Sequence, residues 1–399
     1  MLRNYLKIAL RNIWRSKGYA AINVLGLATA FCICVFLLLT AYLHLTYDSF
    51  HENGDRIFQT YFFSNEPEKP IKTGGMPLPL TPALKADYPE LEGVTRVMAG
   101  RKSLVEVNGT YYDKLINFTD PDFLNVFSFP LLAGNRTNAL RALSSIVISE
   151  NMANDVFGTT NPVGKHLRVG NDGNKKDYIV TGVVADAPDN SSVRYDALVR
   201  IENAPNYQQS KDKWDDLTHN VFLKLPAQVN QAAFESRLKP FANKYFQITI
   251  EELTEKKARP DQAGDLFAIR LQKLSDVHFN RDLSDNKGTP IAVIYVLLGM
   301  AFFILSIASI NFINLSIARS FTRAREVGVR KSMGALKSGL FVQIWGESAL
   351  ICGVGFGVGS VLSFLLMPVF NAQFGAKLKL ATAIQPGFLG LSLVVIALV

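Results

Sequence analysis

Two long uncharged apolar runs bracket a short basic stretch, and few architectures accept that pattern. Gly288 to Ala318 is 31 residues long and Ser348 to Ala376 is 29, and neither contains Asp, Glu, Lys or Arg. A hydrocarbon core about 30 Å thick is crossed by about 20 helical residues, so each run reads as a membrane span. The link from Arg319 to Lys337 holds six basic residues (Arg319, Arg323, Arg325, Arg330, Lys331, Lys337) and one acid, Glu326. Short loops rich in Lys and Arg stay on the cytoplasmic side. Gly18 to Tyr47 is a third uncharged run, with basic residues before it and Asp48, Glu52 and Asp55 after it. The N-terminus is therefore expected inside and the next segment outside.

These runs divide the chain. Residues 1–17 predict an amphipathic helix on the cytoplasmic leaflet, with Arg3, Lys7, Arg11 and Arg15 on one face and Leu2, Leu6, Leu10 and Trp14 on the other. A plain extension of the first span is the bland alternative. Spans are expected at 18–46, 289–318 and 340–367. An extracytoplasmic domain fills 47–288, a cytoplasmic link 319–339 and an outer loop 368–386. A fourth apolar run starts at 387 and reaches Val399 in mid-span, so the expectation is one unit of a longer protein. The fold class is thus an α-helical membrane bundle with a large α+β domain inserted between spans one and two. The net charge of +8 comes from the membrane flanks, and the middle region is slightly acidic. That distribution disfavours a nucleic-acid partner.

Local patterns fill in the middle domain. Leu104–Tyr112 predicts a hairpin turning at Asn108-Gly109. Ile146–Ile148 predicts a strand, followed by a helix capped by Ser149 and ended by Gly158. Tyr178–Val184 and Val221–Leu225 predict strands, and 231–246 and 251–257 predict helices. Met76-Pro-Leu-Pro-Leu-Thr-Pro82 reads as an extended linker. The first span is expected to continue as a helix through Tyr47–His51.

Within the spans, Gly353, Gly355, Gly357 and Gly359 form two overlapping GxxxG pairs suited to close helix packing. Cys32, Cys34 and Cys352 lie in apolar runs and read as packing residues. Asn311 and Asn314 offer amides for bonds between helices. Glu347 stands at the inner membrane interface, as a functional acid or as the ion-pair partner of a loop arginine. The second span is longer than the bilayer requires, which tilt or an outward helical stalk would explain. The basic link has two readings: a topology signal with attraction to anionic lipid, or a short helix across the inner face held by a cytoplasmic partner. Glu326 and Arg330 have the i,i+4 order that favours helix, and Gly334 marks a helix end.

No GxxxxGK[ST], HExxH or GxSxG occurs in the chain. No enzymatic activity, metal or cofactor is therefore expected in this chain itself.

Arg325-Glu-Val-Gly-Val-Arg-Lys-Ser-Met-Gly-Ala335 and Gln343-Ile-Trp-Gly-Glu-Ser-Ala-Leu350 resemble the signature of MacB/FtsX-type ABC transporter permeases. Ser145–Gly158, Asn161-Pro-Val-Gly-Lys165 and Tyr178–Asp186 are similar to that family's periplasmic core domain. Leu6–Trp14 and Tyr47–His51 are similar to its long, two-repeat members from Bacteroidetes-like bacteria, of which this chain resembles the N-terminal half. The resemblance implies a permease in the bacterial inner membrane, with ATP bound by a separate cytoplasmic ATPase. It implies that Arg325, Glu326, Val327, Gly328, Arg330, Lys331 and Gly334 contact that ATPase. It also implies a second permease unit, as a dimer or a C-terminal repeat, and a periplasmic or outer-membrane partner. Efflux driven by movements of the outer domain is the expected activity. A non-transporting activator of an envelope enzyme, such as a peptidoglycan hydrolase, is the alternative.

Overall fold

A computed structural model describes residues 17–170, 175–281, 283, 288–333 and 336–398, without the side chains of residues 322, 323, 325, 326, 330, 343 and 395–398. Arg3, Lys7, Arg11, Trp14, Arg15 and Gly334 lie outside the described residues. The chain forms two compact units, Thr46–Pro290 and a helical unit from the segments on either side of it.

Helix α1 spans Lys17–Leu45 and is apolar on all sides. It stops at Leu45, short of the continuation to His51 expected above. Asp48 takes a left-handed φ of 55°. Its backbone N–H donates to Asn190 O at 2.8 Å, and its carboxylate accepts from Ser192 N–H at 2.8 Å. These bonds replace the helical ones and turn the chain.

The Thr46–Pro290 unit is built on strands β1 (Ile57–Ser64), β2 (Ile71–Thr73), β3 (Met76–Pro77), β4 (Gly93–Met98), β5 (Lys102–Val107), β6 (Thr110–Thr119), β7 (Leu131–Gly134), β8 (Ser145–Ser149), β9 (His166–Val169), β10 (Lys176–Val184), β11 (Ala197–Arg200), β12 (Leu217–Lys224) and β13 (Phe267–Lys273). Their order is β11-β8-β10-β9-β5-β6-β4-β12-β1-β13, and β11 also pairs with β6. That extra pairing closes six strands into a small barrel around Val105, Ile146, Ile148, Val180 and Val199, all fully buried. Strand β7 pairs with β10 of the barrel, and strands β4, β12, β1 and β13, with β2 and β3 paired to them, form an open half-sheet. Helices α2 (Leu80–Asp87), α4 (Gln231–Tyr245) and α5 (Gln247–Glu255) cover it through Leu80, Leu84, Phe234 and Phe241, while α3 (Glu150–Phe157) seals the barrel with Met152 and Ala153. A third cluster around Phe123, Phe127 and Phe129 joins Ile57 and Phe222 of the half-sheet to Val147 and Leu198 of the barrel.

Several local expectations hold. Asn108 and Gly109 have φ 50° and 77°, as a type I′ turn requires. Ser149 Oγ accepts from Met152 N–H at 3.2 Å, and Gly158 closes α3 at φ 62°. Outer strand β13 is blocked by α4: Glu235 Oε1 accepts from Leu271 N–H and Gln231 Nε2 donates to Leu271 O, at 2.8 and 2.9 Å. Such capping keeps a sheet edge from recruiting other strands.

The Met76–Pro82 segment is no linker. Met76, Leu78 and Leu80 are 0–1% exposed, and Met76-Pro77 pairs with β12. The two-residue apolar spacing buries one side of the segment, and the prolines sit where a short edge strand needs no donor.

The helical unit continues with α6 (Ile291–Ser332), α7 (Lys337–Phe374) and α8 (Pro386–Leu398). Among the described residues, Lys17–Leu45, Ile291–Phe321 and Lys337–Phe374 are long and apolar enough to cross a membrane. Helix α7 outruns the expected limits of 340–367. It passes through Pro368 to Phe374, where Gly375 ends it at φ 60°, so the outer loop is shorter than expected. Helix α1 packs against both α6 and α7. Phe36 stacks on Phe370 with ring centroids 4.5 Å apart, and the Cys34 thiol donates to Ala301 O at 3.5 Å.

Candidate functional site

The basic segment is not a separate helix across the inner face. Helix α6 runs unbroken for 42 residues, through the apolar span and on to Ser332. At about 1.5 Å per residue it forms a rod roughly 63 Å long. No proline interrupts it, and Gly328 alone is too weak a breaker to end a long helix. The base of the charged portion is pinned to α1: Tyr19 Oη bonds Ser316 Oγ at 2.9 Å, and the Arg319 guanidinium lies 4.5 Å from the Tyr19 ring.

Beyond that point the described side chains are mostly exposed. Lys331 and Gly328 are exposed and Val327 is half-buried. A Cβ on Gly328 would meet nothing within 4 Å. Arg325, Glu326 and Arg330 lie on the same helix by backbone; their side chains are outside the described residues. Phe321, Val329 and Met333 are 77, 53 and 74% exposed. In the sequence these apolar residues are scattered among charges and carry no motif of their own. Their spacing with Arg325, every fourth position from 321 to 333, places them along one strip of the helix.

The glycine run divides into two roles. A Cβ on Gly355 would lie 2.9 Å from Leu27 Cβ, and one on Gly359 would lie 2.7 Å from Ala28 O and 2.9 Å from Phe31 Cβ. Gly353 and Gly357 are exposed and meet nothing within 4 Å. Only the Gly355/Gly359 pair packs on α1, because residues two apart on a helix point to opposite sides. Glu347, expected at the interface, is 5% exposed within α7. Asn311 and Asn314 are exposed, and among the described residues the Tyr19–Ser316 bond and the Cys34 thiol to Ala301 O bridge the first two spans.

Among the described residues no three His, Cys, Asp or Glu side chains converge as metal ligands. The titratable groups buried in the Thr46–Pro290 unit are structural. Arg96 and Asp120 form a buried ion pair, with Arg96 Nη1 also donating to Leu78 O at 3.2 Å. Burial alone would raise the Asp120 pKa, but the hydrogen bonds and charge of Arg96 outweigh it and hold the carboxyl below the usual range. Burial pushes His219 down to about 3, with the charge of Arg96 adding to the effect. Burial also pushes His51 down to about 4 and raises Asp48 to about 6, against opposing hydrogen bonds from Ser192 and Ser191.

Comparison with known proteins places both units. The MacB-like periplasmic core domain matches residues 20–241, and the FtsX-like permease C-terminal region matches residues 298–399. The chain is 26% identical over 301 residues to the macrolide export ATP-binding/permease protein MacB of Pasteurella multocida, covering 73% of this chain and 40% of that protein. It is 22% identical over 293 residues to the uncharacterized ABC transporter permease YknZ of Bacillus subtilis, covering 69% of this chain and 60% of that protein. The periplasmic region of MacB from Actinobacillus actinomycetemcomitans aligns with a TM-score of 0.35 and 16% identity, covering 51% of this chain and 94% of that one. The chain therefore spans less than two thirds of the length of these curated relatives. With a periplasmic-core match over more than half its length and a permease match over the rest, this protein belongs to the MacB/FtsX family of ABC transporter permeases.

Proposed function

We propose that this chain is the membrane subunit of an ABC system in which a separate cytoplasmic ATPase drives movements of the Thr46–Pro290 domain. The observation that carries the reading is the continuity of α6 from Ile291 to Ser332. A force applied at the basic end travels along an unbroken helix, whereas a jointed loop would dissipate it. The exposed strip of Phe321, Val329 and Met333 beside Lys331 suits a partner surface that is apolar at its centre and acidic at its rim. On this reading the basic end faces the cytosol, the domain faces the periplasm, and the protein sits in the inner membrane with a second permease unit beside it. Export by mechanical coupling follows, with an envelope protein as the outer partner. ATP is bound by the ATPase and not by this chain.

The test is a break in the rod. Proline in a helix interior costs about 3 kcal/mol and removes a backbone bond. Ser320→Pro in the full chain, purified with its ATPase, is expected to keep the two together while abolishing any ATP-dependent change in proteolysis of the outer domain. An ATP-dependent change that survives the substitution would overturn the coupling role.

A further inference from the structure

A groove of about 310 Å³ runs between α1 and α6 in the helical unit. Helix α1 supplies Asn23, Gly26, Ala30 and Ile33 to it, and α6 supplies Ala308 and Asn311. Two polar clips bound it. Tyr19 Oη bonds Ser316 Oγ at the basic end, and the Cys34 thiol donates to Ala301 O at the other. The small residues at 26, 30 and 308 leave space that larger side chains would fill.

The dimensions select the occupant. From Asn23 to Ile33 the groove is about 15 Å long at about 1.5 Å per residue. That is the depth of one leaflet in a hydrocarbon core about 30 Å thick. A volume of about 310 Å³ over that length leaves a section of about 20 Å², whereas a helix about 10 Å across has about four times that section. An extended hydrocarbon chain fits the groove and a helix does not.

Polar groups mark the headgroup end. Asn23 is 3% exposed and turns its Nδ2 to Tyr19 O at 2.9 Å. The amide left to face the occupant is that of Asn311, which is exposed in the groove. An amide in hydrocarbon without a hydrogen-bond partner is costly. An alkyl chain offers it no acceptor, but the ester carbonyl of a glycerolipid does. About 12 Å further along α6 toward the basic end stands Arg319, its guanidinium 4.5 Å from the Tyr19 ring. Its five N–H donors sit on a long stem that reaches the headgroup layer. Exposed Lys17 opens α1 at the same end. No Asp or Glu occurs from Met1 to Tyr47 or from Ile291 to Arg325, and Glu347 of α7 does not line the groove. The charge at this end therefore favours an anionic headgroup.

We propose that the groove holds one acyl chain of an anionic phospholipid, with an ester carbonyl accepting from Asn311 and the phosphate at Arg319. The site is independent of the coupling role proposed above, because both helices belong to one unit and the lipid is detected without an ATPase.

The test is native mass spectrometry of the full chain released from micelles that contain equimolar palmitoyl-oleoyl phosphatidylglycerol and phosphatidylcholine. Phosphatidylglycerol should be retained about tenfold over phosphatidylcholine, the equivalent of one charge-assisted hydrogen bond. Gly26→Phe should abolish that retention: a Cβ there meets nothing within 4 Å, and the ring takes up groove volume. Gly357→Phe, at an equally open position of α7 outside the groove, should keep the lipid. Arg319→Gln should bring the two lipids close to equal retention. Undiminished retention by Gly26→Phe would place the lipid elsewhere and overturn the proposal. Equal retention of the two lipids by the unaltered chain, or retention of neither, would overturn it too. A lipid-less protein dimer that Gly26→Phe dissociates would assign the groove to a second copy instead. An unchanged lipid ratio in Arg319→Gln overturns the proposal even if Gly26→Phe fails to fold.

Discussion

Arg96 grips Asp120 with two prongs, Nε to Oδ2 at 2.9 Å and Nη2 to Oδ1 at 2.5 Å, in the interior of the periplasmic core domain. The backbone N–H of Arg96 adds a third bond to Oδ2 at 2.7 Å. The pair ties β4 to the end of β6, where only two residue pairs connect those strands. It bridges the half-sheet and the barrel at their thinnest seam.

Removing one partner of a buried ion pair strands the other charge and typically costs about 3–5 kcal/mol. Asp120→Ala should therefore lower stability by that order, measured as the thermal midpoint of the full chain in detergent. The folded pKa of Asp120 lies below its unfolded value, so its stabilising contribution is complete above the unfolded pKa. It is lost as the pH falls through the folded pKa. The deficit of the variant should thus shrink in strong acid. A variant as stable as the parent at neutral pH would show that the seam does not depend on this pair.

His51 and Asp48, three residues apart, should bend the pH profile in opposite directions. Burial holds folded His51 at about 4, below its ordinary value of 6.5. The unfolded chain then takes up the proton first, and stability is lost as the pH falls from 6.5 toward 4. The full shift corresponds to about 3 kcal/mol. His51→Gln should flatten this part of the curve; an unchanged slope between pH 6.5 and 4 would contradict the assignment.

Asp48 is raised by burial to about 6 from 3.8, so the folded state holds its proton longer than the unfolded one. Its contribution is fully present below 3.8 and is lost as the pH rises through 6. At neutral pH the charged form is the unfavourable one, and one carboxylate oxygen has no partner. Asp48→Asn keeps an acceptor for Ser192 N–H and suits the left-handed φ. We expect it to raise the thermal midpoint at pH 7, by an amount equivalent to about 1–3 kcal/mol. A lower midpoint would mean that the charge is needed.

The two glycine pairs give a matched comparison. Gly359→Leu forces a side chain against Ala28 O and Phe31, and overpacking of this kind costs about 1–3 kcal/mol. A Cβ at Gly357 would meet nothing within 4 Å, so Gly357→Leu should be neutral or slightly stabilising, since leucine favours helix over glycine. Equal thermal midpoints for the two variants would refute the assignment of Gly359 to the α1 contact.

Charge reversal at Arg330 and Lys331 tests the proposed ATPase contact. The double variant should reduce co-purification of the ATPase at least about tenfold, the equivalent of one or two lost charged contacts, while membrane insertion stays normal. Replacing exposed Met333 with Asp should act in the same direction through the apolar strip. Full retention of the ATPase by both variants would remove this end of α6 from the interface.

How much was legible in the sequence depended on the range of the interaction. The Asn108-Gly109 turn, the Ser149 cap and the Gly158 stop were readable because each is settled by neighbours within a few residues. The Met76–Pro82 segment was misread because proline reports on local backbone freedom and is silent about a distant strand, β12, that buries Met76. The end of α1 at Leu45 was missed for the same reason: Asn190 and Ser192, far along the chain, supply the bonds that turn it at Asp48. The pairing of Arg96 with Asp120 left no trace in spacing.

The sequence by itself determined the apolar spans, the basic flank and the large inserted domain, because transfer of a helix into hydrocarbon depends on composition summed over about 20 residues. Tertiary structure alone decided that the basic segment is one rod with the second span, that Gly355 and Gly359 rather than Gly353 and Gly357 meet α1, and that β11 closes a barrel on β6. Those outcomes rest on which faces meet after folding, and contacts between residues tens to hundreds of positions apart are fixed by packing geometry that no local pattern encodes.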